Sequence, residues 1–320
     1  MSLALFRPGA RRGWQTGFFL LFLLAPALDA FRLDLSAGHF WFLGMRWTLG
    51  LHELAGAGGL ELTGRLLLRA GLPVLGFVAL VLWLVWRFGR IYCGWLCPHF
   101  LVVEWINGVM RRASGKPSLW ERRPLPEQQA DGTRIRPHPA WWLGVVLAVV
   151  GFALLWAVTL LTYLLPPERV WTHLLQGQLT AGEQTFIGVA TALLVVEFSL
   201  ARHLFCRYGC AVGLFQSLAW MGNGRAWVVG FDRNRAAECA ACDASCDHAC
   251  PMRIHPRHGK RLKFTCTQCQ SCIQACERVQ ARQGRPALLR MVSGSCAEAE
   301  AAFGLGRNRG PTPDCFREGS

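Results

Sequence analysis

Residues 266–276 read Cys266-Thr-Gln-Cys269-Gln-Ser-Cys272-Ile-Gln-Ala-Cys276, a C-x2-C-x2-C-x3-C run without a deviation. A second run precedes it, Cys239-Ala-Ala-Cys242-Asp-Ala-Ser-Cys246-Asp-His-Ala-Cys250-Pro251, with one extra residue between its second and third cysteines. An iron–sulfur cubane takes three thiolates from one loop and a fourth from elsewhere, and in two-cluster ferredoxins each run lends its last cysteine to the other cluster. The spacing therefore predicts two [4Fe-4S] clusters: cluster 1 on Cys239, Cys242, Cys246 and Cys276, and cluster 2 on Cys266, Cys269, Cys272 and Cys250. C-x2-C pairs also build zinc ribbons, but two runs of four that both end in C-x3-C fit the ferredoxin pattern better. The extra residue loosens the first loop and bears on the geometry or potential of cluster 1.

The rest of the chain differs in kind. Of its 14 cysteines, residues 1–230 hold only Cys93, Cys97, Cys206 and Cys210. Hydrophobic residues make up 52% of the 320 residues, in long apolar segments that small secreted disulfide scaffolds lack. The formal charge of +14 does not point to nucleic acid, because the basic residues cluster beside the apolar segments, where they orient membrane spans. Part of it is also nominal, since each cubane held by four thiolates contributes roughly −2.

A helix needs about 20 largely apolar residues to cross the hydrocarbon core. Residues 141–164, 66–86 and 185–205 each meet or approach that length. Residues 14–30 form a shorter candidate behind Arg11 and Arg12, readable as an anchor or as a signal peptide with a poor cleavage site. The loop of residues 87–140 carries nine Lys or Arg whereas residues 164–184 carry only Arg169, so the positive-inside rule puts the former in the cytosol. The prediction is an α-helical integral membrane protein of a bacterial cytoplasmic membrane, with about four transmembrane helices, both termini inside, and a small cytosolic α+β two-cluster ferredoxin-like domain. Its divisions are residues 1–13 (cytosolic N-terminus), 14–222 (transmembrane), 223–237 (linker), 238–290 (ferredoxin-like) and 291–320 (flexible tail, with Cys296 and Cys315 unligated). The scattered His39, His52 and His173 are not expected to bind metal.

Two further pairs sit where spans reach the cytosol: Gly89-Arg-Ile-Tyr-Cys93-Gly-Trp-Leu-Cys97-Pro98 and Arg202-His-Leu-Phe-Cys206-Arg-Tyr-Gly-Cys210-Ala211. If the backbone is helical, C-x3-C places both thiols on one face with Cβ atoms ~5–6 Å apart, wider than the ~3.5–4.5 Å of a disulfide. Pairs of soft thiolates suit Cu(I), zinc or iron–sulfur species. Pro98 predicts a helix that starts there and runs to about Arg112, with Cys97 as its cap. A helix N-terminus and nearby arginines are expected to lower that thiol's pKa.

Several segments together resemble the cytochrome c oxidase accessory proteins of the FixG or CcoG type, which are membrane-bound polyferredoxins. They are His39-Phe-Trp-Phe-Leu-Gly, the GRxxCGxxCP run at 89–98 with Glu104 after it, Cys206-x3-Cys210 followed by Phe215-Gln-Ser, Cys272-x3-Cys276, and Gly284-Arg-Pro-Ala-Leu-Leu-Arg290. The resemblance implies reduction of Cu(II) to Cu(I) for assembly of a copper-containing oxidase, with copper at Cys93, Cys97, Cys206 and Cys210. It further implies a cytosolic or quinol electron donor and, as partners, copper and oxidase-assembly proteins in addition to membrane lipid. A quinol-linked electron-transfer subunit of a periplasmic reductase and a non-catalytic copper chaperone remain alternatives. Ala211 stands where the family usually has proline, and the 320 residues do not contain the further span and immunoglobulin-like domain common in it, so its periplasmic contacts are expected to differ.

Overall fold

The computed structural model describes residues 8–48, 59–304 and 313–316. Three helices in it are long and apolar enough to cross a membrane. The first joins α2 (Gly59–Leu66) through a π turn to α3 (Leu72–Phe88), the second is α6 (Trp141–Thr162), and the third continues α8 (Ala181–Val196) through a π turn to Ala201. On them Leu75, Phe77, Leu147 and Leu193 are each about two-thirds exposed. Apolar surface on that scale needs lipid or another apolar surface to cover it. Helix α1 (Arg11–Leu24) has 14 residues, about 21 Å at 1.5 Å per residue, and is shorter than the ~30 Å hydrocarbon core. Three helices of spanning length are thus described where the sequence suggests about four.

The chain divides into two compact units, one of residues 17–82 and 148–199, the other of residues up to 16, 83–147 and from 200 onward. In the first unit Phe22 packs on Trp156 (ring centroids 4.8 Å) and Tyr163 (5.4 Å), and the Tyr163 hydroxyl donates to the Phe22 carbonyl at 2.8 Å. Strands β1 (Phe31–Asp34), β2 (His39–Phe42) and β3 (Met45–Trp47) form an antiparallel meander. The buried Arg32 guanidinium pairs with Asp29 and Asp34 at 2.5 and 3.0 Å. The short helix α7 (Pro167–Gln176) buries Val170 against Ala157, Val158 and Leu161. Thr180 and Glu183 cap α8 reciprocally, a Thr-x-x-Glu box, and Glu183 also meets His173 at 3.0 Å.

In the second unit α4 (Ile91–Trp95), α5 (Pro98–Ser114) and α9 (Ala211–Met221) precede an α+β module. That module contains β4 (Val228–Phe231), α10 (Ser245–His248), α11 (Ser271–Ala281), β5 (Leu289–Val292) and α12 (Ser295–Ala302). Strands β4 and β5 pair antiparallel, Val228 opposite Val292 and Phe231 opposite Leu289. Every β4 residue is buried, so residues 223–237 are not a linker: they hold the module's first strand, too short and too uniformly apolar to show an alternation. Residues 291–303 are likewise not a flexible tail. Helix α12 places the fully buried Glu300 against Arg233 at 2.7 Å and Lys263 at 3.0 Å, and Cys296 is joined to Cys315 by a disulfide. The reason is electrostatic, because Lys263, also fully buried, is a charge that the fold cannot leave uncompensated.

Candidate metal centres

The eight cysteines of the two runs gather into two quartets in the second unit. Cys250, Cys266, Cys269 and Cys272 line one cavity, and Cys239, Cys242, Cys246 and Cys276 line another. Helix α11 serves both, contributing Cys272 to the first and Cys276 to the second. Burial pushes the Cys250 thiol up to about 12 and the Cys266 thiol up to about 11, and neighbouring thiols add to the rise. Cys246 and Cys272 are driven the same way, again chiefly by burial. So dry a group of thiols ionises only around a strongly cationic centre, which metal provides. The donor sets therefore fit iron–sulfur clusters.

The two loops differ at the inserted residue. In the second run Gln270 takes a left-handed conformation (φ 63°) just before α11, and in the first Ala244 does the same (φ 59°) before α10. The first run has Asp243 in addition. Its carboxylate accepts hydrogen bonds from the Ser245 hydroxyl and, at 3.1 Å, from the Ala130 backbone N–H. The insertion ties its loop down instead of loosening it, because an Asp side chain readily bonds hydroxyl and backbone groups a few residues away.

The other four cysteines lie at helix junctions. Cys93 is on α4 and Cys97 is the N-cap of α5, with Pro98 at its first position. Cys206 lies in a π turn, and Cys210 is the N-cap of α9, its Sγ accepting from the Gly213 N–H at 3.4 Å. Neither pair sits on one continuous helix, so the single-face spacing does not apply. The expected fall in the Cys97 pKa is also corrected: burial and the Cys93 thiol push it up to about 12, outweighing the N–H groups of Phe100 and His99. The Cys93 thiol donates to Gln216 Oε1 at 3.3 Å, and Cys206 Sγ lies 3.6 Å from His99 Nδ1. Among the described residues no group of three or more His, Cys, Asp or Glu side chains is placed to hold a single metal ion. His39 meets the Ala37 carbonyl and His173 meets Glu183; His52 lies outside the described residues.

Gly94, between Cys93 and Cys97, carries the contact that matters most. A Cβ there would stand 2.2 Å from the Thr267 carbonyl oxygen and 3.3 Å from Cys269 Cα, so the backbone of the second run lies directly on this glycine. Next to it, Trp95 Nε1 donates to the Gln268 carbonyl at 3.1 Å. Arg11 donates to the Gly94 carbonyl (2.8 Å) and to Glu104 (2.6 Å), and its Nη1 reaches Ser271 Oγ at 3.4 Å. Sequence reasoning assigned no role to Gly94, Gln216 or His99, although all three lie within or beside the quoted motifs; their contacts are long-range, and residue spacing carries no signal for them.

Buried thiol quartets together with apolar helices of spanning length define an iron–sulfur electron-transfer protein of the membrane. A family model described as a 4Fe-4S binding domain matches residues 70–117 and 184–227, and one described as a 4Fe-4S dicluster domain matches residues 229–294. The nitrogen fixation protein FixG of Rhizobium meliloti is 29% identical over 62% of this chain and 39% of its own length. Protein RdxA of Cereibacter sphaeroides is 25% identical over 81% of this chain and 52% of its own length. The regulatory protein NosR of Pseudomonas aeruginosa is 25% identical over 59% and 24%. No solved structure matches. These likenesses support a membrane polyferredoxin family of the FixG type, and the chain spans between about a quarter and about half of the length of these three relatives.

Proposed function

We propose that this chain is a membrane-bound oxidoreductase that reduces Cu(II) to Cu(I) at Cys93, Cys97, Cys206 and Cys210, for assembly of a copper-containing respiratory oxidase. Cys250, Cys266, Cys269 and Cys272 hold one [4Fe-4S] cluster and Cys239, Cys242, Cys246 and Cys276 the other, and bound clusters supply one-electron carriage. The observation that carries the proposal is the seating of Thr267–Cys269 on Gly94, which favours short electron passage between a quartet and a thiol pair. The substrate, Cu(II), takes one electron from a cytosolic or quinol donor by way of the protein and becomes Cu(I), for which paired soft sulfur ligands are suited. The chain's own residues exclude water from the thiols and hold them: Gln216 accepts from Cys93, and His99 stands beside Cys206. Copper and oxidase-assembly proteins are the expected partners.

Replacing Cys93 and Cys97 together with Ser keeps side-chain size but removes two soft ligands. Iron content should stay normal while Cu(II) reduction by the chemically reduced protein drops tenfold or more, roughly 1.4 kcal/mol in barrier. Unchanged copper reduction would instead favour quinol-linked electron transfer to another acceptor. The same reading puts the cluster-bearing unit in the cytosol of a bacterium, on the strength of the basic loop at residues 87–140. A reporter fused after Gln178 should then report the periplasm and one fused after Ser320 the cytosol; the reverse pattern would invert the topology.

A further inference from the structure

Arg90 is 1% exposed, and its side chain is anchored through one nitrogen only: Nη2 donates to the Cys206 carbonyl at 3.1 Å and approaches Cys93 Sγ at 3.8 Å. Nε and Nη1 are buried with no hydrogen-bond partner among the described residues. No carboxylate pairs with this guanidinium among the described ion pairs, in contrast to Arg11, Arg32 and Arg233, each of which meets an Asp or Glu. A buried cation without a counter-charge is strongly destabilising, so the fold must supply an anion that the bare side chains do not show. The two candidates flank it. The Cys93 thiol is one, and the other is the Cys250, Cys266, Cys269, Cys272 quartet, because the Arg90 carbonyl accepts from the N–H of Gly94, the glycine on which Thr267 and Cys269 are seated. Gly89, next in sequence, is packed on the Gln268 side chain of the same cysteine run.

We propose that Arg90 is the shared counter-ion of the Cys250, Cys266, Cys269, Cys272 centre and of the Cys93 thiol, and that it raises the reduction potential of that centre relative to the other quartet. A fixed positive charge favours the state with one more electron, and hydrogen bonding, net charge and exposure are the levers that set cluster potentials. Arg90 is thus a positioning residue for electrons: it makes the quartet beside the thiol pairs the easier one to reduce. Gly213 belongs to this device, because a Cβ there would stand 2.5 Å from Arg90 Nη2, and only glycine leaves room for the guanidinium between α9 and Cys93. The inference rests on the iron–sulfur reading of the quartet and is independent of copper as substrate.

The test is a potentiometric titration, followed by electron paramagnetic resonance, of the whole cluster-loaded protein free of copper. In Arg90→Gln, one cluster couple should move at least tenfold toward the oxidised form, about 59 mV for a one-electron couple. The other couple should hold, and Arg90→Lys should restore most of the shift. If Arg90→Gln loads poorly, iron loss confined to one of the two clusters supports the proposal, and equal loss from both overturns it. Gly213→Ala, which keeps the charge and displaces it, should show a smaller shift of the same couple. Unchanged potentials in both Arg90→Gln and Gly213→Ala at full iron content, or equal shifts of both couples, overturn the proposal.

Discussion

Replacing Cys269 with Ala is expected to remove at least half of the iron and labile sulfide from the protein. Cys269 lines the cavity shared with Cys250, Cys266 and Cys272, and a cubane deprived of one thiolate loses both a bond and the charge compensation that keeps the remaining buried thiols ionised. The effect should not stop there. Cys250 follows α10 of the first run, and Cys276 is one turn beyond Cys272 on α11, so disorder around one quartet is passed through both elements to the other. Metal binding and folding are coupled in small metal-bearing modules, and the second cluster should become more labile to chelators. Iron and sulfide analysis with visible absorbance reads this directly. Two clusters with unchanged spectra would show that the ligand sets are wrongly drawn.

Changing Gly94 to Ala should produce the opposite combination, intact iron and failed electron passage. The added Cβ meets a backbone carbonyl, that of Thr267, at 2.2 Å, and a backbone atom cannot rotate away as a side-chain tip does. The Thr267–Cys269 segment or the Cys93–Cys97 segment must move, and the Trp95 to Gln268 hydrogen bond goes with it. The cysteines themselves are untouched, so cluster loading should stay near the wild-type level. Copper reduction by the pre-reduced protein should fall by at least an order of magnitude, on the scale of 1.4 kcal/mol or more. A Gly94→Ala protein with full iron and full reduction rate would mean that this contact is not the route.

The cysteine runs could be read because cluster ligation imposes residue spacing directly on the chain. Helix α6 could be read because 22 largely apolar residues without a charge leave few alternatives, and the start of α5 because Pro98 fits only the first turn of a helix. Other features depend on contacts between distant residues. Strand β4 is four residues long and buried on both faces, so it shows no period, and its partner β5 is some 60 residues away by the numbering of the two strands. The Cys97 thiol was expected to be acidified by its helix N-terminus, a local effect, yet burial and the Cys93 thiol, which are tertiary effects, decide its direction. The insertion at Asp243 looked like slack, and only the positions of Ser245 and Ala130 show it to be a tether. Gly94 stands in the quoted run, but one glycine among 34 does not announce which backbone will rest on it.

The central claim is that electrons held by the iron–sulfur module leave through the paired thiols to copper. The most direct measurement is an anaerobic single-turnover reaction in which reduced protein, free of excess reductant, is mixed with Cu(II) and a Cu(I)-specific chelator, while cluster absorbance and Cu(I) are followed together. The account predicts that cluster oxidation and Cu(I) formation proceed at one rate with one Cu(I) per electron lost in the wild-type protein. In the protein carrying Ser at 93, 97, 206 and 210, the clusters should stay reduced at normal iron content. Clusters that oxidise in that variant as fast as in the wild type, with the same yield of Cu(I), would contradict it.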